Sequence, residues 1–380
     1  MTFPDTEMRA RIAAVRTRME ARGLDALLTT DPSNMHWLTL YDGWSFYVPQ
    51  GVVVTSHEVL WWGRGMDAEG ARHTARGCEI ASYDDGLVQN PEAHPMEDLA
   101  GRLSDLAITA LGVEMDGYYY SPRAHAVLAA RFETRDATGL VNRCRLTKSP
   151  AEIALMRRAA RISEAVIDGL MARTRPGARK NEVVAEAWRD AIRGTDGAWG
   201  DYPAIVPMLP SGPEASAPHL TWDGRPFRAG EATFFEISGC HRRYHAPLCR
   251  TIHLGPPPPQ MERAAQAVAE ALEAGLSAAR PGAMAGDVAR AMRAPLGAAG
   301  IEKAGRMGYS VGLSYPPDWG ERTLSVRESD ETVLGPGMTL HLMPGLWMDG
   351  WGYECTETAL VREGAAAEAL ADRPRRLAVV

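Results

Sequence analysis

What most restricts the fold of this chain is an internal echo. Arg175-Pro176-Gly177-Ala178 is followed by Glu182-Val183-Val184, and Arg280-Pro281-Gly282-Ala283 is followed by Asp287-Val288-Ala289. Each Pro-Gly pair ends one helical pattern and precedes another. Before the first pair, Ile153, Met156, Ala160, Ile167 and Leu170 recur at helical spacing; after it come Val184, Trp188 and Ile192. The echo continues into strands, with Thr233-Phe234-Phe235 through Gly239 answered by Thr339-Leu340-His341 through Gly345. A duplicated helix-helix-strand unit predicts a pseudo-two-fold domain with facing sheets, and a site between the halves that draws on both strands.

The duplication begins after a clear boundary near Thr147. Ser149-Pro150-Ala151-Glu152 is a capping box with proline at the first helical position. A chain of 380 residues suits about two domains, here 1–147 and 148–380. Upstream, helical patterns at Glu7–Arg22, His94–Leu106 and Arg123–Arg131 alternate with strand patterns at Leu24–Thr30, Gly51–Thr55, Glu58–Trp62 and Ala110–Met115. That alternation predicts an α/β domain. Within it, Met35 to Val48 is rich in aromatic residues, including Trp44 and Tyr47. Such a cluster reads equally as core or as a wall for a cation. Arg64, between two glycines after a strand, reads equally as a turn residue or as an anion clamp.

Charge and cysteine usage narrow the function classes. A net charge of −7 disfavours nucleic-acid and membrane-surface partners. Five cysteines without close-set spacing suit a reducing cytoplasm. The start Met1-Thr2-Phe3-Pro4-Asp5 lacks the features of a signal peptide, and no apolar run approaches a membrane span. The expectation is a cytoplasmic protein.

The chemistry gathers in Phe234-Phe235-Glu236-Ile237-Ser238-Gly239-Cys240-His241-Arg242-Arg243-Tyr244-His245-Ala246-Pro247-Leu248-Cys249-Arg250-Thr251. The segment reads as a hairpin that turns at Ser238-Gly239. Glu236 lies inside an apolar run, where an acid is costly unless paired or at work. An edge strand with Glu236 facing water is the alternative. Upstream, His219 follows a strand and a Ser-Gly turn, and an imidazole titrates near neutrality. Downstream, Leu313 to Thr323 reads as a loop that concentrates Asp318, Trp319 and Arg322.

The hairpin, with Tyr244 and Arg250-Thr251 at its far end, resembles the first metal-ligand hairpin of the pita-bread family. The resemblance extends through Asp31-Pro32-Ser33-Asn34-Met35, Tyr41 to Tyr47, Trp61 to Gly65, Gly200 to Pro207 and Pro218 to Trp222. It covers about residues 7 to 362, and implies a creatinase-like N-terminal domain before a pita-bread catalytic domain. Family metallopeptidases hold two metals with two Asp, a His and two Glu. At those positions this chain carries Glu236, Pro247, Tyr309, Met343 and, within one residue, Glu357. Two carboxylates with Tyr and Met do not make a tight site for a hard or borderline cation. The resemblance therefore points to the family's metal-free branch, with no cofactor.

That branch implies a homodimeric hydrolase acting on a small zwitterion, a cyclic amidine. Glu236 is then the nucleophile or base and His219, matching a creatinase histidine, the general acid/base. Glu357 and Tyr309 are assigned to the amidinium N–H groups. Arg64 or Arg322 would clamp a carboxylate, and Trp44, Tyr47 and Trp319 would line the cation. Asp318, His245 and Met343 complete the expected substrate contacts. A creatinase-like amidinohydrolase, a metallo-aminopeptidase and a non-catalytic zwitterion binder are the rivals.

Overall fold

The structure, a computed structural model, describes residues 3–195 and 197–380. Met1 and Thr2, part of the leader reading above, lie outside the described residues. The chain divides into two compact units, Met1–Arg145 and Leu146–Val380.

The N-terminal unit contains α1 (Asp5–Glu20), β1 (Ala26–Thr29), α2 (Pro32–Thr39), β2 (Gly51–Thr55), β3 (Val59–Arg64), α3 (Ala68–Thr74) and β4 (Glu79–Tyr83). It continues with α4 (Met96–Ser104), β5 (Ala110–Val113), α5 (Pro122–Ala129), β6 (Glu133–Asp136) and α6 (Leu140–Arg145). Its mixed sheet has the order β4-β3-β2-β1-β5-β6. One core is built from Leu28, Val53, Trp62, Leu99, Leu111 and Leu128. The aromatic stretch is core only in part. Asp31 caps α2 by accepting from the Ser33 and Asn34 N–H groups, and Trp37 and Tyr41 are buried. Trp44 and Tyr47 are 56% and 71% exposed.

The C-terminal unit opens with α7 (Pro150–Arg173), whose capping box forms as expected. Then come α8 (Lys180–Arg193), β7 (Ala232–His241), β8 (Tyr244–His253), α9 (Pro259–Ala278), α10 (Ala285–Ala298), β9 (Gly308–Tyr315) and β10 (Asp318–Ser325). β11 (Thr339–Leu342), β12 (Leu346–Met348), β13 (Trp351–Tyr353), β14 (Glu357–Leu360), β15 (Glu368–Ala369) and β16 (Ala378–Val379) close it.

The duplication is visible bond by bond. Gly177 and Gly282 both take left-handed φ values, 90° and 87°, which glycine adopts without a Cβ clash. Gly177 N–H donates to Phe227 and Gly282 N–H to Leu334 at the same 2.9 Å, and each acceptor residue returns a bond, to Ala178 and Ala283 respectively. The halves do not face each other as two sheets, however. They share one eight-stranded sheet, joined where Tyr244 of β8 pairs with Leu313 of β9. The residues between Leu313 and Thr323 likewise form a hairpin, β9–β10, rather than a loop.

The hairpin turn also falls elsewhere than expected. β7 runs on through Ser238-Gly239 to His241, and the turn is Arg242-Arg243, with φ of 49° and 67°. Left-handed arginines are uncommon. Here Arg243 lies 3.7 Å from the Tyr202 ring centre and Arg242 4.9 Å from that of Trp199. Gly239 serves packing instead. A Cβ there would stand 2.2 Å from the Ala159 carbonyl oxygen of α7, so only glycine lets helix and strand approach this closely.

Candidate active site

β7 carries Glu236 into the interior. Its backbone pairs with Cys249 of β8 on one side and with Met208 on the other, where N–H and C=O bond at 3.2 and 3.0 Å. Residues directly opposite on antiparallel strands send their side chains to one face, so Glu236 and Cys249 point the same way. Cys249 is also bridged to Thr356, which draws the segment after β13 alongside. The Thr251 hydroxyl fastens that segment, accepting from Glu354 N–H at 3.0 Å and donating to Glu354 C=O at 2.7 Å. The Glu354 carboxyl thereby meets the Cys249 thiol, with Sγ 3.4 Å from Oε2. Glu236, Cys249 and Glu354 are all buried.

Electrostatics follow from that burial. Removal from water pushes the Glu236 carboxyl well above the usual carboxylate range, and the Glu354 charge pushes it further. Burial raises Glu354 to about 7, opposed by the Cys249 thiol and the Lys303 ammonium. Cys249 is raised by burial and then by both acids, which keeps it a thiol. Lys303 donates to Gly345 C=O at 2.8 Å and sits 4.6 Å from the Trp347 ring centre. Desolvation lowers its ammonium to about 8. Glu354 Oε1 has no hydrogen-bond partner. It faces Gly345, where a Cβ would stand 3.0 Å away.

Beside the carboxyls stands an aromatic group. The Tyr309 hydroxyl accepts from Trp319 Nε1 at 2.8 Å and hydrogen-bonds His341 Nδ1 at 3.0 Å. Desolvation, then the Glu236 charge, raises the phenol, so it stays protonated. Burial lowers His341 to about 3, making it neutral, and its Nε2 has no partner.

The other expected site residues distribute as follows. His245 is buried with both ring nitrogens committed: Nδ1–H donates to Arg243 C=O at 2.9 Å, and Nε2 accepts from Ala204 N–H at 2.8 Å. Burial holds it neutral, down at about 3. It orders the hairpin and the chain at Ala204. Glu357 pairs with Arg250 and, at 3.1 Å, with Arg375. His219 is exposed. Its neighbour Leu220 accepts from Leu209 N–H at 3.2 Å, next to the Met208 that pairs with Glu236. Asp318 and Met343 are half-buried, and Arg322 is exposed at a bulge of β10 with φ 54°. Trp44, Tyr47 and Arg64 belong to the N-terminal unit, where Asp85 engages the Arg64 guanidinium.

Glu354 and Lys303 were missed by sequence reasoning. The signal for Glu354 was present in Tyr353-Glu354-Cys355-Thr356-Glu357, where two acids compete for one role within a strand-like run. Nothing in the run before Lys303 marks it for burial.

A sheet shared by two duplicated halves, with buried carboxyls near their seam, defines a class that the comparisons place. Residues 154–363 match the metallopeptidase family M24, and residues 11–147 match the creatinase/prolidase N-terminal domain. The chain belongs to that family. It is 49% identical over 396 aligned positions to the ectoine hydrolase of Halomonas elongata, covering 100% of this chain and 98% of that one. An uncharacterised hydrolase/peptidase of Sinorhizobium fredii is 38% identical, covering 99% of this chain and 98% of the relative. Among solved structures, an Xaa-Pro dipeptidase from Bacillus anthracis matches with a TM-score of 0.84 at 20% identity, over 98% of this chain and 100% of that one. A prolidase from Thermococcus sibiricus matches at 0.85 and 17%, over 98% and 99%. The last two likenesses concern the fold.

The family name implies a metal, and the side chains do not fit one. Pro247 offers a carbonyl already accepting from Thr358, the Tyr309 hydroxyl is engaged by Trp319 and His341, and Glu357 is held by arginines. Lys303 already supplies positive charge at Glu354. Among the described residues no group of three or more His, Cys, Asp or Glu is placed to hold a metal ion.

Proposed function

We propose that the chain is a metal-independent hydrolase that opens the ring of a cyclic amidine, and that the amidine is ectoine, the substrate to which the sequence resemblance also points. The observation that carries this reading is the pair of buried acids, Glu236 and Glu354, among residues that do not suit a metal. Buried carboxyls call for a cation, and an amidinium supplies one together with an electrophilic carbon. Identity of 49% to an ectoine hydrolase along the whole chain supports the choice of substrate.

In this reading Glu236 attacks the amidinium carbon or activates water toward it, and the ring carbon–nitrogen bond breaks to give N-acetyl-2,4-diaminobutyrate. His219 is the acid/base expected from sequence. It rides on a loop tied to the backbone beside Glu236. The Tyr309 phenol, which Trp319 holds, lies within electrostatic reach of Glu236, and aromatic faces suit a bound cation.

Homodimerisation and a cytoplasmic location belong to the same proposal. Trp44 and Tyr47 form an exposed aromatic surface of the kind a partner covers, and all five cysteines are free. Among the described residues no helix is long and apolar enough to cross a membrane.

Incubation of the purified protein with ectoine, followed by mass spectrometry, tests the reading. A gain of one water per ectoine and an acetylated diamino acid product are expected. An unchanged ectoine pool alongside hydrolysis of a guanidino zwitterion would move the assignment to the creatinase-like rival.

A further inference from the structure

Glu354 plays no part in the sequence-derived mechanism, yet it is 0% exposed and has one carboxyl oxygen without a partner. Its other oxygen takes the Cys249 thiol at 3.4 Å, and Cys249 lies directly opposite Glu236 in the hairpin. The thiol therefore stands between two carboxyls. The unpartnered oxygen lies close against Gly345, where a Cβ would stand only 3.0 Å away. A buried acceptor without a donor is costly, and a ligand N–H would satisfy it.

We propose that Glu354 is the proton-holding partner of Glu236: it takes the proton that Glu236 sheds when a cationic amidine binds, and hands it to the departing ring nitrogen. This rests on the amidine-hydrolase reading above. Two buried carboxyls in electrostatic contact do not both ionise, so the pair keeps one proton. In the free protein Glu354 releases its proton near 7, where Cys249 and Lys303 favour its anion, and the proton the pair keeps above that belongs to Glu236. An amidinium against Glu236 reverses the preference, and the proton crosses to Glu354.

The ledger then closes. The Glu236 carboxylate forms a C–O bond to the amidinium carbon, giving a neutral tetrahedral adduct. Glu354 protonates one ring nitrogen, which leaves with the electron pair of the broken C–N bond as an amine. Water adds to the resulting cation while Glu354 takes back a proton. The C–O bond to Glu236 breaks, returning its carboxylate, and the last proton passes to the amine, leaving amide and ammonium. Overall, amidinium and water become amide and ammonium with no net proton change.

The test is the pH dependence of kcat for ectoine in wild type, Glu354→Gln, Glu354→Asp and His219→Asn. Several titratable groups face this site: Glu236 and Cys249 from the hairpin, Tyr309 from β9, Lys303, and Cys355 beside Glu354. The variants isolate Glu354 among them. A proton donor must be protonated, so wild-type kcat should fall on the alkaline side. Glu354→Gln should lose at least about 10²-fold, the scale of one acid/base role, and lose that alkaline limb. Glu354→Asp, which keeps a titratable acid should Gln fold poorly, should retain the limb at reduced kcat. A Gln variant within about threefold of wild type, or one that keeps the limb, overturns the inference. So does a limb that vanishes in His219→Asn instead. A wild-type protein that leaves ectoine intact overturns the underlying reading, an outcome visible before any variant is made.

Discussion

Replacing Glu354 by Gln should stabilise the protein by an amount that grows with pH. The native state holds this carboxyl protonated up to about 7, against an ordinary 4.5, chiefly through burial. The folded chain therefore binds a proton that the unfolded chain has released, and stability is lost as pH rises through that window. Moved from 4.5 to about 7, at about 1.4 kcal/mol for each tenfold change in proton binding, this carboxyl costs the wild type on the order of 3 kcal/mol by pH 8. Glutamine cannot ionise and keeps an acceptor for the Cys249 thiol, so it escapes this loss. It also removes the like charge that bears on Glu236, which adds to the gain.

Groups that the Glu354 charge does not shift slope differently with pH, and the difference between the two proteins removes them. His245 and His341, lowered to about 3, make the fold more stable as pH rises toward 6.5, equally in both proteins. Lys303 does not cancel: burial lowers it to about 8 against the opposing Glu354 charge, and the variant, lacking that charge, lowers it further, an effect confined to the alkaline end of the series. Urea unfolding of wild type and Glu354→Gln at a series of pH values measures the difference. It should be small near pH 4.5, grow through neutrality and level off near pH 8. Parallel curves across that range would refute the reasoning, because they would mean that Glu354 ionises in the fold as freely as in the unfolded chain.

Glu236→Gln should fold and lose about 10²–10⁴-fold in turnover, with a substrate-derived mass trapped on the peptide of Glu236 in wild type alone; near-normal turnover would move the chemistry elsewhere. Chelator should leave activity unchanged and elemental analysis should find no stoichiometric metal; chelator-sensitive activity restored by a divalent ion would sink the metal-free reading. Gly239→Ala should destabilise by about 2–3 kcal/mol or more, since its methyl meets helix backbone at 2.2 Å. Gly297→Ala, in α10 with no atom within 4 Å of the new methyl, should instead gain up to about 1 kcal/mol; thermal melts that fail to separate the two would discredit this account of the packing.

The duplication was legible because it rests on backbone chemistry written into single residues. Gly177 and Gly282 must each take a positive φ, and Pro176 and Pro281 fix the turns before them. Other features were illegible for equally local reasons. Gly239 looks like a turn residue, but contact with α7, some 80 positions upstream, decides its role. The Arg242-Arg243 turn carries no Asn or Gly, and rings at Trp199 and Tyr202 make it acceptable. His245 reads as chemistry in the sequence, and its partners turn out to be backbone groups at Arg243 and Ala204.

Glu354 and Glu357 show where reading by residue type stops. Both are buried glutamates three positions apart, and sequence alone favours neither. What separates them is the third dimension. Each has one oxygen without a partner, but Arg250 and Arg375 both meet the other oxygen of Glu357, whereas the other oxygen of Glu354 meets a thiol, with one lysine within electrostatic reach. Burial raises the Glu357 carboxyl, and its two arginines oppose that and favour the anion over a held proton. An acid near neutrality with an unfilled oxygen can take and return one. On the metal-free proposal, with Pro247, Tyr309 and Met343 where the resemblance expects metal ligands, the remaining carboxyls would manage charge through protons. Lys303 fits that exchange: one fixed ammonium offsets part of one carboxylate, leaving the site short of a positive charge that a cationic substrate brings with it.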